Sequence, residues 1–164
     1  MMTEAAWWLR AGIEDDADSI MMVHRRSILG LGVPAYSPAE TESWATGLKP
    51  EGYVRAMRER GEVFEVVCAG DGVIVGFCST IENEIIALYV DPDWARRGIA
   101  STFLERAEAR IADGGHGWVV IEAALSGLNF YLAHGYEVEE EKLSKSRGGL
   151  MLKAARLRKT LQCP

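Results

Sequence analysis

The sequence predicts a mixed α/β domain whose sheet carries helices on its faces. Three consecutive extended segments, "VFEVVCA", "VIVGFCSTI" and "EIIALYV", are separated only by short turns, a pattern typical of an antiparallel meander. Helical and extended patterns then alternate to the end of the chain, which favours one sheet with helices packed against it. A length of 164 residues predicts a single domain over residues 1–164.

Composition excludes several classes of protein. Hydrophobic residues make up 48% of the chain and charged residues 26%, so neither a disordered nor a fibrous protein is expected. The apolar runs are too short to span a membrane, and "MMTEAAWWLR" lacks the features of a signal peptide, which predicts a cytoplasmic protein without a membrane partner. A net charge of -6 disfavours nucleic-acid binding. A small, cationic partner fits this composition better.

The cysteines predict neither a disulfide framework nor a metal site. Cys68, Cys78 and Cys163 are odd in number and widely spaced, with no CxxC pair and only three histidines in the chain. Cys68 and Cys78 lie in apolar extended segments, where a reduced thiol packs as a small hydrophobic group. Cys163 is expected in a loose C-terminal tail, "RKTLQCP".

The N-terminal third is predicted to contain a strand and then helices. "WWLRAGI" forms the strand, and Trp7 and Trp8 pack either on the core or on a second subunit. "EDDADSIMMVHRRSIL" forms the first helix, with Asp15 or its neighbour as a side-chain cap and with Gly30 and Gly32 at its end.

A capping box marks the second helix. Ser37 caps it, Pro38 suits its first turn and Glu40 closes the box, which predicts a helix over Pro38–Ala45. A third helix over residues 51–60 ends at Gly61, since glycine adopts the left-handed conformation at low cost.

The second half continues from the meander into a longer helix. Apolar residues recur there at spacings of three and four: Ala100, Phe103, Leu104, Ala107 and Ile111. The helix ends at "DGG" and is followed by the strand "WVVIEAA", the short helix "GLNFYLAHG" and two closing strands, "YEVEEEKL" and "LMLKAARL".

The junction "LYVDPDWARRGIAS" between a strand and that helix is a candidate anion site. Backbone N–H groups at a helix start lack partners within the helix, and the helix dipole adds positive potential. Gly98 and Ala100 leave the main chain accessible, while Arg96 and Arg97 supply charge and donors. A phosphate is the expected guest. Neither GxxxxGK[ST] nor GxGxxG is present, which disfavours a nucleoside triphosphatase or a dinucleotide enzyme.

Two segments resemble the GCN5-related N-acetyltransferases. "LYVDPDWARRGIASTFLERAEARI" is similar to the acetyl-CoA loop of that family, and "NFYLAHGYEV" resembles its FYxxxGF segment. The loop pattern Q/R-x-x-G-x-G/A falls on residues 95–100, where Ala95 replaces the usual glutamine or arginine. The resemblance implies a mostly antiparallel central sheet with helices on both faces and splayed central strands. It also implies acetyl-CoA as cosubstrate and no metal.

The resemblance further implies which residues hold the cosubstrate. The backbone of Leu88, Tyr89 and Val90 would lie along the pantetheine arm, with one N–H polarising the thioester carbonyl. Either Ser126 or Asn129 would replace the family asparagine. The implied cofactor-binding residues are Leu88, Tyr89, Val90, Arg96, Arg97, Gly98, Ile99, Ala100, Ser101, Ser126, Asn129 and Tyr131.

Three residues are candidates for the chemistry. Tyr131 occupies the family tyrosine, and a phenol with an ordinary pKa near ~10 stays protonated at neutral pH and can donate to the leaving sulfur. The amine must lose a proton, and Glu84 or Glu122 is the candidate base. Release of that proton through ordered water is the alternative.

The acceptor is predicted to bind between the first two helices. His24, Tyr36, Trp44 and Tyr53 have rings with polar tips in that region, and we expect the first three to contact it. The sequence thus predicts direct transfer to a primary amine of a small molecule or peptide in a ternary complex. A non-catalytic acyl-CoA sensor of the same fold is the alternative, and the protein is expected to be a monomer or a homodimer.

Overall fold

Seven strands form one mixed sheet in the computed structural model, which describes residues 6–162. Their order is β1-β2-β3-β4-β5-β7-β6, and every neighbouring pair is antiparallel except β4 and β5. The strands are β1 (Trp7–Ala11), β2 (Val63–Ala69), β3 (Ile74–Ile81), β4 (Glu84–Val90), β5 (Trp118–Ala124), β6 (Glu137–Lys145) and β7 (Met151–Thr160). The predicted meander and the mixed sheet are both confirmed.

Helices cover both faces of this sheet. They are α1 (Ala17–Leu31), α2 (Pro38–Ala45), α3 (Pro50–Glu59), α4 (Ile99–Asp113) and α5 (Leu128–Ala133). Side chains alternate between the two faces along each strand. One buried core therefore gathers Phe103 and Leu104 of α4, and a second gathers Ile20 of α1 and Ala56 of α3.

The predicted capping box of α2 is present. Ser37 Oγ accepts from the Glu40 N–H at 3.2 Å, and the Glu40 carboxylate accepts from the Ser37 N–H at 2.9 Å. The box satisfies two N–H groups at the helix start and fixes where α2 begins. α2 carries Trp44, so this local signal positions a candidate site residue.

Two details of α1 differ from the prediction. A 3-10 turn over Glu14–Asp16 precedes the helix, and Asp16 does not cap it, because its carboxylate binds Arg10 at 2.8 Å and the Ile13 N–H at 2.9 Å. Gly32 is the C-cap of α1, so the predicted end of the helix is confirmed, and Gly30 lies in its last turn. A Cβ there would lie 2.5 Å from Pro92, so glycine permits the close contact between α1 and the segment after β4.

The C-terminal prediction was wrong in part. Strand β7 continues through residues 158–160 instead of ending in a tail there. These residues pair with β5, where Arg158 lies opposite Val120 and Thr160 lies opposite Trp118. Cys163 lies outside the described residues.

The parallel pair β4 and β5 separates after two residues. Only Glu84 pairs with Val120 and Ile85 with Ile121, and the strands diverge beyond them, as predicted. Just after β4, the Asp91 N–H donates to the Val75 carbonyl of β3. Along an antiparallel pair of strands, a residue whose N–H points to the partner strand alternates with one whose N–H points away from it. The N–H groups of Leu88 and Val90 therefore point away from β3 and into the gap.

Candidate active site

A cavity of about 560 Å³ occupies the gap between β4 and β5. Its walls come from α1, Trp44 of α2, the end of β4, the loop before α4, the first turn of α4, β5 and α5. Among the predicted site residues it is lined by Trp44, Leu88, Tyr89, Val90, Arg96, Gly98, Ile99, Ala100, Ser101, Glu122, Ser126 and Tyr131. The fold thus brings residues that are far apart in the sequence to one opening.

The loop before α4 presents its main chain to this cavity. Arg96 has φ of +62° and Gly98 has φ of +79°, so the backbone turns through the left-handed region twice. A Cβ on Gly98 would meet no heavy atom of the described chain within 4 Å. The free N–H groups of the first turn of α4 follow directly, and together they form a concave donor surface suited to an anion.

The loop is anchored on both sides. Asp91 accepts from the Asp93 N–H at 2.9 Å and binds Arg26 of α1 at 2.7 Å. Arg97 does not line the cavity, because its guanidinium lies 4.5 Å from the ring centroid of Trp94 and donates to the Asp93 carbonyl. Arg96 and Gly98 therefore face the cavity, while Arg97 braces the turn.

Tyr131 lies on α5 at the far wall of the cavity. Its side chain is buried, and burial raises the pKa of the phenol well above its ordinary value, so the hydroxyl keeps its proton. Of the two candidates for the family asparagine, Ser126 lines the cavity, whereas Asn129 is exposed and does not.

A hydrogen-bonded link joins α5 to the start of α4. His134 Nδ1 lies 2.7 Å from the Phe130 carbonyl, which can only accept, so Nδ1 carries the proton. His134 Nε2 is then the acceptor for Ser101 Oγ at 3.3 Å. The link fixes the helix that carries Tyr131 relative to the anion-binding loop.

A second cavity of about 340 Å³ adjoins the first on the face of the sheet covered by α1 and α2. The two cavities share Trp44, Tyr89, Glu122 and Ala124. A molecule in the second cavity would therefore reach the first at the point where β4 and β5 diverge.

Glu122 lies at this junction and Glu84 does not. Ser144 Oγ donates to the Glu122 carboxylate at 2.8 Å and Lys142 lies 3.0 Å away, and these contacts lower the pKa of Glu122. The carboxylate is therefore ionised and a weaker base than its ordinary counterpart. Glu84, at the start of β4, is outside the lining of both cavities.

The predicted acceptor residues separate into two groups. Trp44 lines both cavities and Tyr36 lines the second, where the Tyr36 hydroxyl donates to the Lys153 carbonyl and accepts from the Leu125 N–H at 2.9 Å. His24 lines neither. It is buried beneath Tyr89, with ring centroids 4.2 Å apart, and its Nδ1 lies 2.7 Å from the Tyr53 hydroxyl.

The buried His24 predicts a measurable pH dependence of stability. Burial, with a smaller contribution from the charge of Arg147, lowers the pKa of His24 to about 3. In the unfolded chain the pKa returns to ~6.5, so the unfolded state binds the extra proton between these values and stability falls as the pH drops below ~6.5. We expect the difference in unfolding free energy between wild type and His24→Asn to shrink by about 1.4 kcal/mol from pH ~7.5 to ~5.5. Urea unfolding at both pH values measures it, and a constant difference would contradict the prediction.

Two residues near the cavities, His134 and Arg147, were not predicted from the sequence. His134 is the last variable position of the FYxxxG segment, directly before Gly135, but nothing in its spacing indicated a contact with Ser101. Arg147 lies in the turn "SRGG" between β6 and β7 and lines the second cavity. Basic residues in a glycine-rich turn were the available signal, but only the tertiary fold brings that turn against α2.

None of the helices in the described part of the chain combines the length and hydropathy needed to cross a membrane. Within residues 6–162, no three His, Cys, Asp or Glu side chains converge as metal ligands do.

Comparisons with known proteins agree with this geometry. The family described as Acetyltransferase (GNAT) domain matches residues 32–152. YafP of Escherichia coli K12, described as an uncharacterized N-acetyltransferase, is 24% identical over 136 residues, which are 81% of this chain and 83% of YafP.

Two solved structures share the whole fold. A GCN5-related N-acetyltransferase from Rhodopseudomonas palustris superimposes with a TM-score of 0.85 and 26% identity, covering 98% of this chain and 99% of that one. The PaiA N-acetyltransferase of Thermoplasma acidophilum, solved with coenzyme A, gives a TM-score of 0.70 and 22% identity over 94% and 99% of the two chains.

The splayed sheet and the open loop before α4 thus define a class of enzyme that transfers acetyl groups. The chain belongs to the GNAT acetyltransferase family and is an N-acetyltransferase.

Proposed function

We propose that the protein transfers the acetyl group of acetyl-CoA directly to the primary amine of a small molecule. The observation that carries this proposal is the meeting of two cavities at the divergence of β4 and β5. One cavity suits a long cosubstrate and the other a compact acceptor, so both can be bound at once, as a ternary mechanism requires.

The residues of the larger cavity fit acetyl-CoA. The open main chain at Gly98 and the first turn of α4 would hold the pyrophosphate, with Arg96 beside them. The N–H groups of Leu88 and Val90, which face the gap, would bind the pantetheine amides and polarise the thioester carbonyl. Coenzyme A in the PaiA structure supports this choice of cosubstrate. Acetyl-CoA supplies an activated acetyl group.

Transfer forms a C–N bond at the amine and breaks the C–S bond of the thioester. The amine gives up a proton and the departing sulfur takes one. We assign the donor for the sulfur to Tyr131, whose raised pKa keeps the phenol protonated.

The proton of the amine leaves through water. Of the candidate bases, Glu122 lies at the junction, but its contacts with Ser144 and Lys142 lower its pKa, so it attracts an ammonium better than it takes a proton. Glu122 therefore orients the amine, and Glu84 has no part in this scheme.

A covalent acetyl-enzyme is not part of the mechanism. Cys78 is buried, and burial raises the pKa of its thiol to about 12, so the nucleophilic thiolate is negligible near neutral pH.

Two measurements test the proposal. Thermal unfolding with acetyl-CoA, coenzyme A, NAD and ATP should show a shift with the first two alone, since a ligand at about 100 times its dissociation constant stabilises by ~2.7 kcal/mol. An amine screen that follows thiol release and product mass should then yield an N-acetylated product. Cofactor binding without product from any amine would favour the sensor. A thermal shift with NAD or ATP alone would overturn acetyl-CoA as the cosubstrate. If the protein is incubated with labelled acetyl-CoA and then denatured, label retained at Cys68 or Cys78 would overturn direct transfer.

A further inference from the structure

One side of the second cavity is formed by the turn between β6 and β7, and Arg147 is the charged residue of that turn. Lys145 and Lys153 also border this cavity. Ala155 of β7 packs into the core beside α4. Lys153 lies two residues before Ala155, and side chains two residues apart on a strand share a face, so the Lys153 side chain also points to the face covered by α4. Lys145 follows Ser144, which faces Glu122, and points the same way as Lys153. Arg147 is therefore the cation that the turn offers to the cavity.

The charge of Arg147 is not neutralised by the protein. No carboxylate of residues 6–162 forms an ion pair with it. Its influence nevertheless extends to the buried rings next to the cavity. Burial has the largest effect on the pKa values of His24, Tyr53 and Tyr89. The positive charge of Arg147 has the second largest effect, and in each case it acts to lower the pKa.

Arg147 is held in place before any ligand binds. Nη1 donates to the Trp44 carbonyl at 3.2 Å, and the Gly148 N–H donates to the Ser43 carbonyl at 3.0 Å. Ser43 Oγ and Ser146 Oγ are 2.6 Å apart. A Cβ on Gly148 would lie 2.4 Å from Ser43 Oγ, so the main chain of the turn is pressed against α2. The remaining guanidinium donors are thus presented at a fixed position.

A carboxylate, that of Glu122, lies where this cavity meets the larger cavity, and Lys142 pairs with it at 3.0 Å. Glu122 is ionised there, held by Ser144 and Lys142. A cavity with a carboxylate next to the reaction centre and a guanidinium on another wall is complementary to a molecule with both an ammonium and an anionic group. The volume of about 340 Å³ is in the lower range of small-molecule sites.

We propose that the acceptor is an amino acid or a close analogue, whose carboxylate is bound by Arg147 while its amine is directed past Glu122 to the thioester. The proposal rests on the function proposed above and names its substrate class. The amine nitrogen gains the acetyl carbon and loses a proton, the thioester loses its C–S bond, and the carboxylate is unchanged, so the product is an N-acetyl amino acid.

This proposal departs from the cationic acceptor that the net charge of -6 suggested. The acidic run at residues 137–141 lines neither cavity. A polyamine or an aminoglycoside would place additional positive charge beside Arg147, and like charges repel. Local charge at the cavity, not the net charge of the chain, selects the acceptor.

Matched acceptors test the proposal on the wild-type protein. Each amino acid is compared with its own amide, which keeps the amine and the side chain but lacks the negative charge, and polyamines complete the panel. Loss of a hydrogen-bonded ion pair corresponds to roughly a 10- to 100-fold change in equilibrium constant. We expect kcat/KM for the preferred amino acid to exceed that for its amide by this factor, mainly through KM.

Arg147→Met and a matched variant identify the residue responsible. Arg147→Met should remove the preference for the acid by lowering kcat/KM for the acid to about that for the amide, while Arg147→Lys should restore part of the preference. Arg55→Met removes the same side chain and charge from the exposed surface of α3, outside both cavities, and should keep the full preference. Coenzyme A affinity and thermal unfolding serve as folding controls.

The possible outcomes separate this proposal from the one it rests on. Equal activity on acids and amides, or a preference for polyamines, would overturn the amino-acid acceptor and leave the acetyltransferase intact. An equal loss for acid and amide in Arg147→Met would overturn the role of Arg147. If that variant does not fold, the wild-type comparison of acid and amide decides the substrate class. Absence of product from every amine would overturn the proposed function itself.

Discussion

Replacing Tyr131 with phenylalanine should lower kcat by roughly 10²- to 10⁴-fold, the range that a positioned general acid contributes. The ring lies at the wall of the larger cavity, and burial raises the pKa of its hydroxyl, so the neutral phenol is present and its O–H is available to the departing sulfur. Phenylalanine keeps the packing and removes only that donor. The dissociation constant for coenzyme A should therefore change little, and steady-state kinetics together with calorimetric titration measure both quantities.

Tyr136→Phe is the matched control for Tyr131→Phe. Tyr136 is buried in the same aromatic cluster, with its ring centroid 5.7 Å from that of Tyr131, but its hydroxyl donates to Glu108 at 3.0 Å and it does not line the larger cavity. Loss of its hydroxyl should reduce stability and leave kcat close to wild type. An unchanged kcat in Tyr131→Phe, or equal losses in the two variants, would remove Tyr131 as the acid.

Replacing Gly98 with alanine should weaken coenzyme A binding by roughly 10- to 100-fold, the effect of losing hydrogen bonds to a charged group. Gly98 has φ of +79°, and its main chain is open to the cavity just before α4. A methyl group there would occupy the space through which a pyrophosphate approaches the backbone N–H groups. Calorimetric titration with coenzyme A gives the change in dissociation constant.

Gly115→Ala separates strain from ligand contact. Gly115 follows the other end of α4 with φ of +89°, and a Cβ there also meets no described heavy atom within 4 Å. Both alanines carry the cost of a left-handed conformation, about 1 kcal/mol, so both variants should lose similar stability. Coenzyme A affinity should fall in Gly98→Ala alone. Equal affinity in the two variants would contradict a pyrophosphate at Gly98.

Local signals in the sequence were sufficient for most of the fold. In the box of Ser37 and Glu40 the two partners are only three residues apart, and the nearly continuous apolar run "VFEVVCA" reflects a strand covered on both faces. Such features depend on neighbours along the chain, so they can be read without the tertiary structure. The first helix was predicted less well, because the partner of Asp16 is Arg10 of the preceding strand.

The candidate site was predictable where a contiguous motif forms it. Residues 95–100 present their own backbone to the larger cavity, so one segment contains most of the proposed anion site. Arg97 shows the limit of that reasoning, since its ring partner Trp94 turns it away from the cavity. Glu84 and Asn129 are close in sequence to residues that line the cavities, but neither of them lines a cavity. The direction of a side chain, which the sequence motif does not give, decides whether it reaches the cavity.

Short continuous segments of the sequence encode the order of strands and helices, the open loop around Gly98 and the likeness to the acetyltransferases. The proposed acceptor side depends instead on tertiary packing. This packing turned His24 inward onto Tyr89, paired Glu122 with Lys142, and set Arg147 against α2. Arg147 and Trp44 are 103 residues apart in the chain, and a contact across such a separation depends on how the sheet and helices pack, which no local pattern records.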